Sequence, residues 1–172
     1  MSGKSYVALL RGINLGKRNL KMGELRKVAT DLGLENARTY IASGNLLFRS
    51  GKTEKALKAD LEDAIGKHMD ARVGVMIRTA AELSAVLAAN PFKAEAANYT
   101  VAIFLDDTPP KDCPKAAKNL DGERIALGKR EIYVHYPRGQ GQSRLAIPAA
   151  AQGTARNMNT VARLAELAEE LA

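Results

Sequence analysis

The chain has 172 residues, of which 46% are hydrophobic, and its formal net charge is +7 at pH 7. That length fits one ordinary domain or two small joined ones, with enough apolar residues for a core. No apolar run approaches the roughly 20 residues of a membrane helix, and the N-terminus lacks a signal-peptide pattern. We therefore expect a cytoplasmic protein with no membrane partner. One cysteine and two histidines predict no metal site, and nothing indicates a cofactor.

The positive charge is concentrated in the first half of the chain. Residues 1–79 hold 15 Lys and Arg against 8 Asp and Glu, whereas residues 80–172 hold 11 of each. This asymmetry favours an acidic partner, either a phosphorylated small molecule or a nucleic acid. A moderately basic surface that serves only solubility is the alternative.

Hydrophobic periodicity in the first half predicts a βαββαβ order. The expected elements are a buried strand, an amphipathic helix, two short strands joined by a turn, a second helix and a final strand, at residues 5–11, 22–32, 37–42, 46–49, 57–69 and 73–77. Residues 1–79 therefore predict a ferredoxin-like α-β plait.

Residues 80–172 predict a second related, partly irregular plait that packs closely on the first and ends in a C-terminal helix. Thr79 and Glu82 have the spacing of a capping box at a helix start. A strand at 101–105, a helix after Pro110 and a hairpin over 124–136 are expected next. Thr154 is suited to N-cap the last helix. The overall class is thus α+β rather than a doubly wound parallel sheet.

Residues 8–18 carry an apolar strand directly into a loop of glycine, asparagine and basic side chains. The stretch from Gly12 to Arg18 is similar to a phosphate-binding P-loop, but three residues separate its glycines where that motif has four. Arg18 also stands where the motif needs Ser or Thr for magnesium. The spacing argues against standard ATP hydrolysis and leaves an anion-binding loop, unless the residues only shape and solvate it.

Two later segments share this chemistry. Ser43, Gly44 and Asn45 are turn residues, which a hairpin requires whether or not they bind a ligand. With Thr154 as N-cap, Arg156 would lie in a helical first turn, where a cation is unfavourable unless it faces an anion or pairs with an internal carboxylate. The sequence predicts one anion-binding site formed by Arg11, Gly12, Asn14, Gly16, Arg18, Ser43, Gly44, Asn45, Arg156 and Asn157.

Other functions remain open at this point. A nucleic-acid-binding module would use the basic first half through phosphate contacts, because few aromatic residues are present for base stacking. An enzyme acting on a phosphorylated substrate would need a base such as His135, but no reaction or catalytic constellation is identifiable. Asp106 and Asp107 are suited to a turn or a cap more than to a divalent cation.

The ordered set of short motifs resembles the bacterial family called domain of unknown function 1697 (DUF1697). The motifs lie at residues 8–14, 22–26, 39–45, 90–92 and 154–157, and Met158 stands where that family commonly has Trp. The resemblance implies a duplicated α-β plait architecture. It implies no known enzyme activity.

Overall fold

The computed structural model describes residues 3–13, 19–41 and 44–171. Within those ranges the fold is a mixed α+β structure with two four-stranded antiparallel sheets and four α-helices. The predicted α+β class is therefore confirmed. The chain divides into two compact units, one made of Met1–Leu83 with Leu164–Ala172 and the other of Ser84–Arg163.

The first sheet is built in the element order that the hydrophobic pattern predicts. Its strands and helices are β1 (Lys4–Leu10), α1 (Met22–Asp31), β2 (Glu35–Thr39), β3 (Asn45–Ser50), α2 (Glu54–Met69) and β4 (Val75–Thr79). The strands lie in the order β2-β3-β1-β4, and every neighbouring pair is antiparallel. The central strand β1 therefore ends between the starts of β3 and β4.

One face of this sheet forms the core of the first unit with α1 and α2. The period-two alternation of β1 directs Tyr6, Ala8 and Leu10 to that face, where they are buried. The helices bury apolar residues at helical spacing, namely Leu25 and Ala29 from α1 and Leu57, Leu61 and Ile65 from α2. Each fully buried leucine or isoleucine contributes roughly 1.5–3 kcal/mol relative to an exposed one.

Side chains of α2 also fix the start of β4. The backbone N–H of Val75 donates to Glu62 Oε2 at 2.9 Å, and Lys58 Nζ donates to the Val75 carbonyl at 2.7 Å. Lys58 and Glu62 are themselves 2.9 Å apart. Both backbone groups of Val75 are thus satisfied by one pair of helix residues.

The second sheet has the strand order β6-β7-β5-β8 and is also antiparallel throughout. The elements of this part of the chain are α3 (Ala80–Ala88), β5 (Thr100–Phe104), β6 (Arg124–Leu127), β7 (Glu131–His135), β8 (Thr154–Asn157) and α4 (Met158–Glu170). The predicted capping box is present, because Glu82 N–H donates to Thr79 Oγ1 at 3.1 Å and Thr79 N–H donates to Glu82 Oε1 at 2.9 Å. The predicted hairpin across Gly128 is present as β6 and β7.

The prediction that Thr154 caps the last helix is wrong. Residues 154–157 form β8, which pairs with β5 so that Arg156 lies opposite Ala102. The helix begins at Met158, and Asn157 caps it by accepting a hydrogen bond from Thr160 N–H at 2.9 Å. Arg156 is therefore in a strand, and the argument from the helix dipole does not apply to it.

The helix predicted after Pro110 is also wrong, since residues 111–116 form successive turns. Cys113 N–H donates to the Pro110 carbonyl and Lys115 N–H to the Asp112 carbonyl, which are turn-type bonds between residues three apart. Pro114 has no N–H and is unfavourable inside a helix. The segment consequently stays at the level of turns.

Tyr133 in β7 stabilises the end of α3. Its hydroxyl donates to the Val86 carbonyl at 2.7 Å, and the side chain is buried. Burial raises the pKa of Tyr133 to about 12, so the hydroxyl keeps its proton at neutral pH. Replacing Tyr133 by Phe is expected to lower the free energy of unfolding by about 1–3 kcal/mol, because the buried carbonyl loses this donor. Urea denaturation would measure the loss, with Tyr99→Phe at an exposed tyrosine as the control.

Candidate functional site

Three connecting segments of the first unit meet where β1 ends. Leu10 N–H donates to the Gly44 carbonyl at 2.9 Å, and Arg11 N–H donates to the Gly74 carbonyl at 2.9 Å. The loop after β1, the loop before β3 and the entry to β4 are thereby fixed side by side. The structure thus brings together Arg11 and Gly12 with Gly44 and Asn45, two groups that the sequence analysis placed in one site.

Gly44 is required by the packing at this point. Its φ of +89° is unfavourable for other residues, and a Cβ added there would lie 2.5 Å from Ile13 Cδ1 and 3.0 Å from Leu10 Cβ. Ile13 is 3% exposed and belongs to the core. The loop between β2 and β3 is therefore packed directly on the loop that follows β1.

Asn45 closes the loop between β2 and β3 from inside. Its Nδ2 donates to the Tyr40 carbonyl at 2.9 Å, and Tyr40 N–H donates to the Asn45 carbonyl at 3.0 Å. The side chain of Asn45 is fully buried. These contacts match the turn role that the sequence analysis considered for residues 43–45.

Basic side chains lie at the same end of the first unit. Arg11 is half-buried, and its aliphatic part runs 3.7 Å from the position of a Cβ on Gly74. Lys21, just before α1, is exposed. Nearby, Glu24 is 3.0 Å from His68 Nε2, and this hydrogen bond lowers the pKa of the Glu24 carboxyl. The acidic side chain at the start of α1 is therefore occupied by His68.

Four of the predicted site residues, Asn14, Gly16, Arg18 and Ser43, lie outside the described residues. Their part in the site stays a prediction.

Arg156 and Asn157 belong to the second unit. Arg156 is 7% exposed, and its Nη1 donates to Thr154 Oγ1 at 2.7 Å and to the Ala155 carbonyl at 2.9 Å. Burial lowers the pKa of Arg156 to about 10, which leaves the guanidinium charged at neutral pH. Asn157 acts as the cap of α4. That these two residues share a ligand with Arg11 stays a prediction.

A polar network around His135 was not found by sequence reasoning. His135 Nδ1 lies 3.0 Å from Thr100 Oγ1, and its Nε2 lies 3.6 Å from Glu95 Oε2. Glu95 Oε1 accepts from Arg124 Nη2 at 2.5 Å, and the Arg124 guanidinium lies 5.0 Å above the Phe92 ring. The only sequence signal for this network was the Asn90-Pro91-Phe92 motif, because Glu95 and His135 meet through the fold.

The His135 network orders the chain between α3 and β5. Thr100 is fully buried and within 3.1 Å of the Ala96 carbonyl, so its hydroxyl is turned inward. A nucleophile must reach its substrate, and this hydroxyl is enclosed. We therefore assign the network to local structure rather than to the acid–base chemistry that the sequence analysis considered for His135.

Two searches over the described ranges give structural facts about possible environments. No helix there is long and apolar enough to cross a membrane. No group of three or more His, Cys, Asp or Glu side chains there is placed to hold a metal ion.

These features define an α+β protein with two compact four-stranded units, one of which gathers glycines and cations at a sheet end. The chain belongs to the DUF1697 family, since the family model "Protein of unknown function (DUF1697)" matches residues 4–133. The resemblance seen in the motifs is thereby confirmed. No curated protein matches the chain.

A solved structure is similar over nearly the whole chain. It is that of a conserved bacterial protein, SP0830, from Streptococcus pneumoniae, with 26% sequence identity and a TM-score of 0.81. The alignment covers 97% of this chain and 99% of the other. Neither comparison names a ligand or reaction, so a functional argument has to come from the site itself.

Proposed function

We propose that the end of the first sheet, at Arg11, Gly12 and Gly44, binds a phosphorylated or other small anionic ligand. The observation that carries the proposal is the pair of backbone hydrogen bonds that fix three connecting segments beside Arg11, from Leu10 to Gly44 and from Arg11 to Gly74. The excess positive charge of residues 1–79 supports it. Long-range attraction from such a surface raises the local concentration of anions.

The residue types at this end suit recognition of an anion. An arginine offers several N–H donors in a planar fork that matches phosphate and carboxylate oxygens. Gly12 has a φ of +65°, a conformation in which successive backbone N–H groups can form an anion-binding concavity. Asn14, Gly16, Arg18 and Ser43, from the sequence prediction, would complete the ligand shell with Asn45 supporting the loop. The contacts of Arg156 and Asn157 within the second unit already account for those two residues, and the proposal does not need them.

The finer description of the fold is part of the same proposal. The strand order β2-β3-β1-β4, with all pairs antiparallel and both helices packed on one face, supports a ferredoxin-like plait for the first unit. The matching order β6-β7-β5-β8 supports a second, related plait with fewer helices.

Calorimetric titration with pyrophosphate and with ADP tests the proposal. Replacing Arg11 by Ala is expected to weaken binding of both probes by about 10- to 100-fold, because a hydrogen bond to a charged group is worth about 1.5–3 kcal/mol. Arg11→Lys should retain part of the affinity, since it keeps the charge and loses the fork. Lys129→Ala is the matched control: it removes one positive charge from the hairpin turn of the second unit, between β6 and β7.

The result that contradicts the proposal is an equal effect of Arg11→Ala and Lys129→Ala, or the absence of saturable binding by the parent protein. Circular dichroism and thermal unfolding of each variant separate loss of binding from loss of folding. A nucleic-acid function would give a different pattern: tight binding to RNA or DNA oligonucleotides with affinity that falls steeply between low and moderate salt. That pattern without pyrophosphate binding would replace the proposal by the alternative.

A further inference from the structure

A cavity of about 300 Å³ opens in the second unit just beyond the end of β5. Its walls come from residues 105–110 on one side and from Ala149 and Gln152 on the other. Leu105 N–H donates to the Arg130 carbonyl at 2.9 Å, which fixes the first wall on the hairpin. The second wall is a short 3-10 helix, Pro148–Ala150. Both walls are therefore anchored by backbone structure.

A glycine allows the two walls to approach each other. A Cβ on Gly153 would lie 2.7 Å from Leu105 Cδ2 and 2.8 Å from the Phe104 carbonyl oxygen. A larger residue at this position would push the chain that carries Ala149 and Gln152 away from the end of β5. The shape of the cavity thus depends on a close backbone contact.

The lining of the cavity is apolar with a negative rim. Leu105, Pro109 and Ala149 supply apolar surface, while Asp106 and Asp107 supply carboxylates, and no lysine or arginine is among the lining residues in the described part of the chain. Arg130 donates to the Asp106 carbonyl at 3.4 Å and so offsets negative charge near Asp106. Asp107 is exposed, and within the described ranges its side chain makes no hydrogen bond or ion pair. Its carboxylate is available to a ligand.

We propose that this cavity binds a small organic cation, namely a primary ammonium group on a short apolar body. The ammonium group pairs with Asp107, and the apolar body packs against Leu105, Pro109 and Ala149. The volume equals that of about ten liquid water molecules and lies at the small end of the range for ligand sites. Negative charge at the rim and apolar walls inside together select a cation with a hydrocarbon part over an anion or an inorganic ion. This site differs in unit, charge and ligand from the one under Proposed function, so each stands or falls alone.

Titration of ¹⁵N-labelled protein with butylammonium chloride, followed by NMR, tests the proposal, and butanol serves as the neutral probe of similar size. Butylammonium is expected to shift amide signals of residues 105–108 and 149–152 saturably and to bind several-fold more tightly than butanol. Asp107→Asn should weaken butylammonium about 2- to 5-fold and leave butanol unchanged, in keeping with a solvent-exposed ion pair. Asp112→Asn, which removes the same charge from an exposed residue outside the lining, should have no effect.

Ala149→Leu gives a second test through volume rather than charge. Filling the cavity is expected to abolish binding of both probes, and thermal unfolding checks that this variant folds. The proposal is overturned if butylammonium shifts no signals around the cavity, if butanol binds equally well, or if Asp112→Asn weakens binding as much as Asp107→Asn.

Discussion

Replacing Asn45 by Asp is expected to lower the free energy of unfolding by about 3–5 kcal/mol at neutral pH, since it places an uncompensated charge in the interior. Asn45 is fully buried at the start of β3, and its amide nitrogen donates to the Tyr40 carbonyl. An ionised aspartate cannot donate, so its oxygen would instead face the carbonyl oxygen. Urea denaturation of parent and variant measures the difference in unfolding free energy.

The pH dependence of this loss identifies its cause. Burial raises the pKa of a carboxyl group above its value in the unfolded chain, which is about 3.9 for Asp. The native variant therefore binds more protons than the unfolded variant, and its stability falls as pH rises through the folded pKa. The difference from the parent should be smaller at about pH 4 than at about pH 8, because the carboxyl group introduced by Asn45→Asp can again donate to the Tyr40 carbonyl once it is protonated.

Asn119→Asp is the matched control for this substitution. Asn119 is exposed, and the same chemical change there should alter stability by less than about 0.5 kcal/mol. A loss at Asn45→Asp that is small, or that does not change with pH, would mean that the Asn45 amide does not hold the loop as described.

The sequence predicted those parts of the fold whose apolar spacing is set by burial on one face. The alternation of Tyr6, Ala8 and Leu10 in β1 and the helical spacing of Leu57 and Leu61 in α2 are local patterns, and the core uses them directly. The capping box at Thr79 could be predicted for the same reason, because both partners lie within one turn. In such places local preference and tertiary packing agree.

Strand β8 shows where local reasoning ends. The residues of this strand, Thr154–Asn157, lack an apolar alternation, and their strand conformation comes from pairing with β5, which is distant in the sequence. The burial of Arg156 follows from that pairing, although an arginine is seldom buried unless its polar groups find partners. A pattern of residue types carries little information about such non-local pairing.

The candidate site divides in the same way. Glycine and cations in the loop after β1 were visible in the sequence, and so was the turn composition of residues 43–45. The contact between Gly44 and Ile13, and the cavity between residues 105–110 and 149–152, depend on segments that only the fold brings together. Sequence reasoning could name the first set of residues and had no signal for the second.

Replacing Gly44 by Ala is expected to cost about 2–4 kcal/mol of stability, from two separable sources. The added Cβ would overlap Ile13 Cδ1 at 2.5 Å, and forcing space into a packed core costs about 1–3 kcal/mol. A φ of +89° adds roughly 1–2 kcal/mol for a residue that has a Cβ. Thermal and urea unfolding of the variant measure the sum.

Two other glycines separate these sources. Gly33 also has a positive φ, +78°, but its added Cβ would meet nothing within 4 Å, so Gly33→Ala should show the backbone cost alone. Gly51 has neither feature, and Gly51→Ala should change stability by less than about 0.5 kcal/mol. A cost at Gly44 no larger than that at Gly33 would show that the loop yields to the new methyl group.

Combining Gly44→Ala with Ile13→Val tests the contact itself. Valine lacks the Cδ1 atom that the new Cβ would strike, while Ile13→Val alone should cost about 0.5–1.5 kcal/mol. If the two loops are packed against each other, the double variant is expected to be more stable than the sum of the single losses implies, by about 0.5–2 kcal/mol. Strict additivity would mean that Gly44 acts only through its backbone angle. The loop after β1, which carries Arg11, would then owe its position to the hydrogen bond between Leu10 and Gly44 and not to this packing.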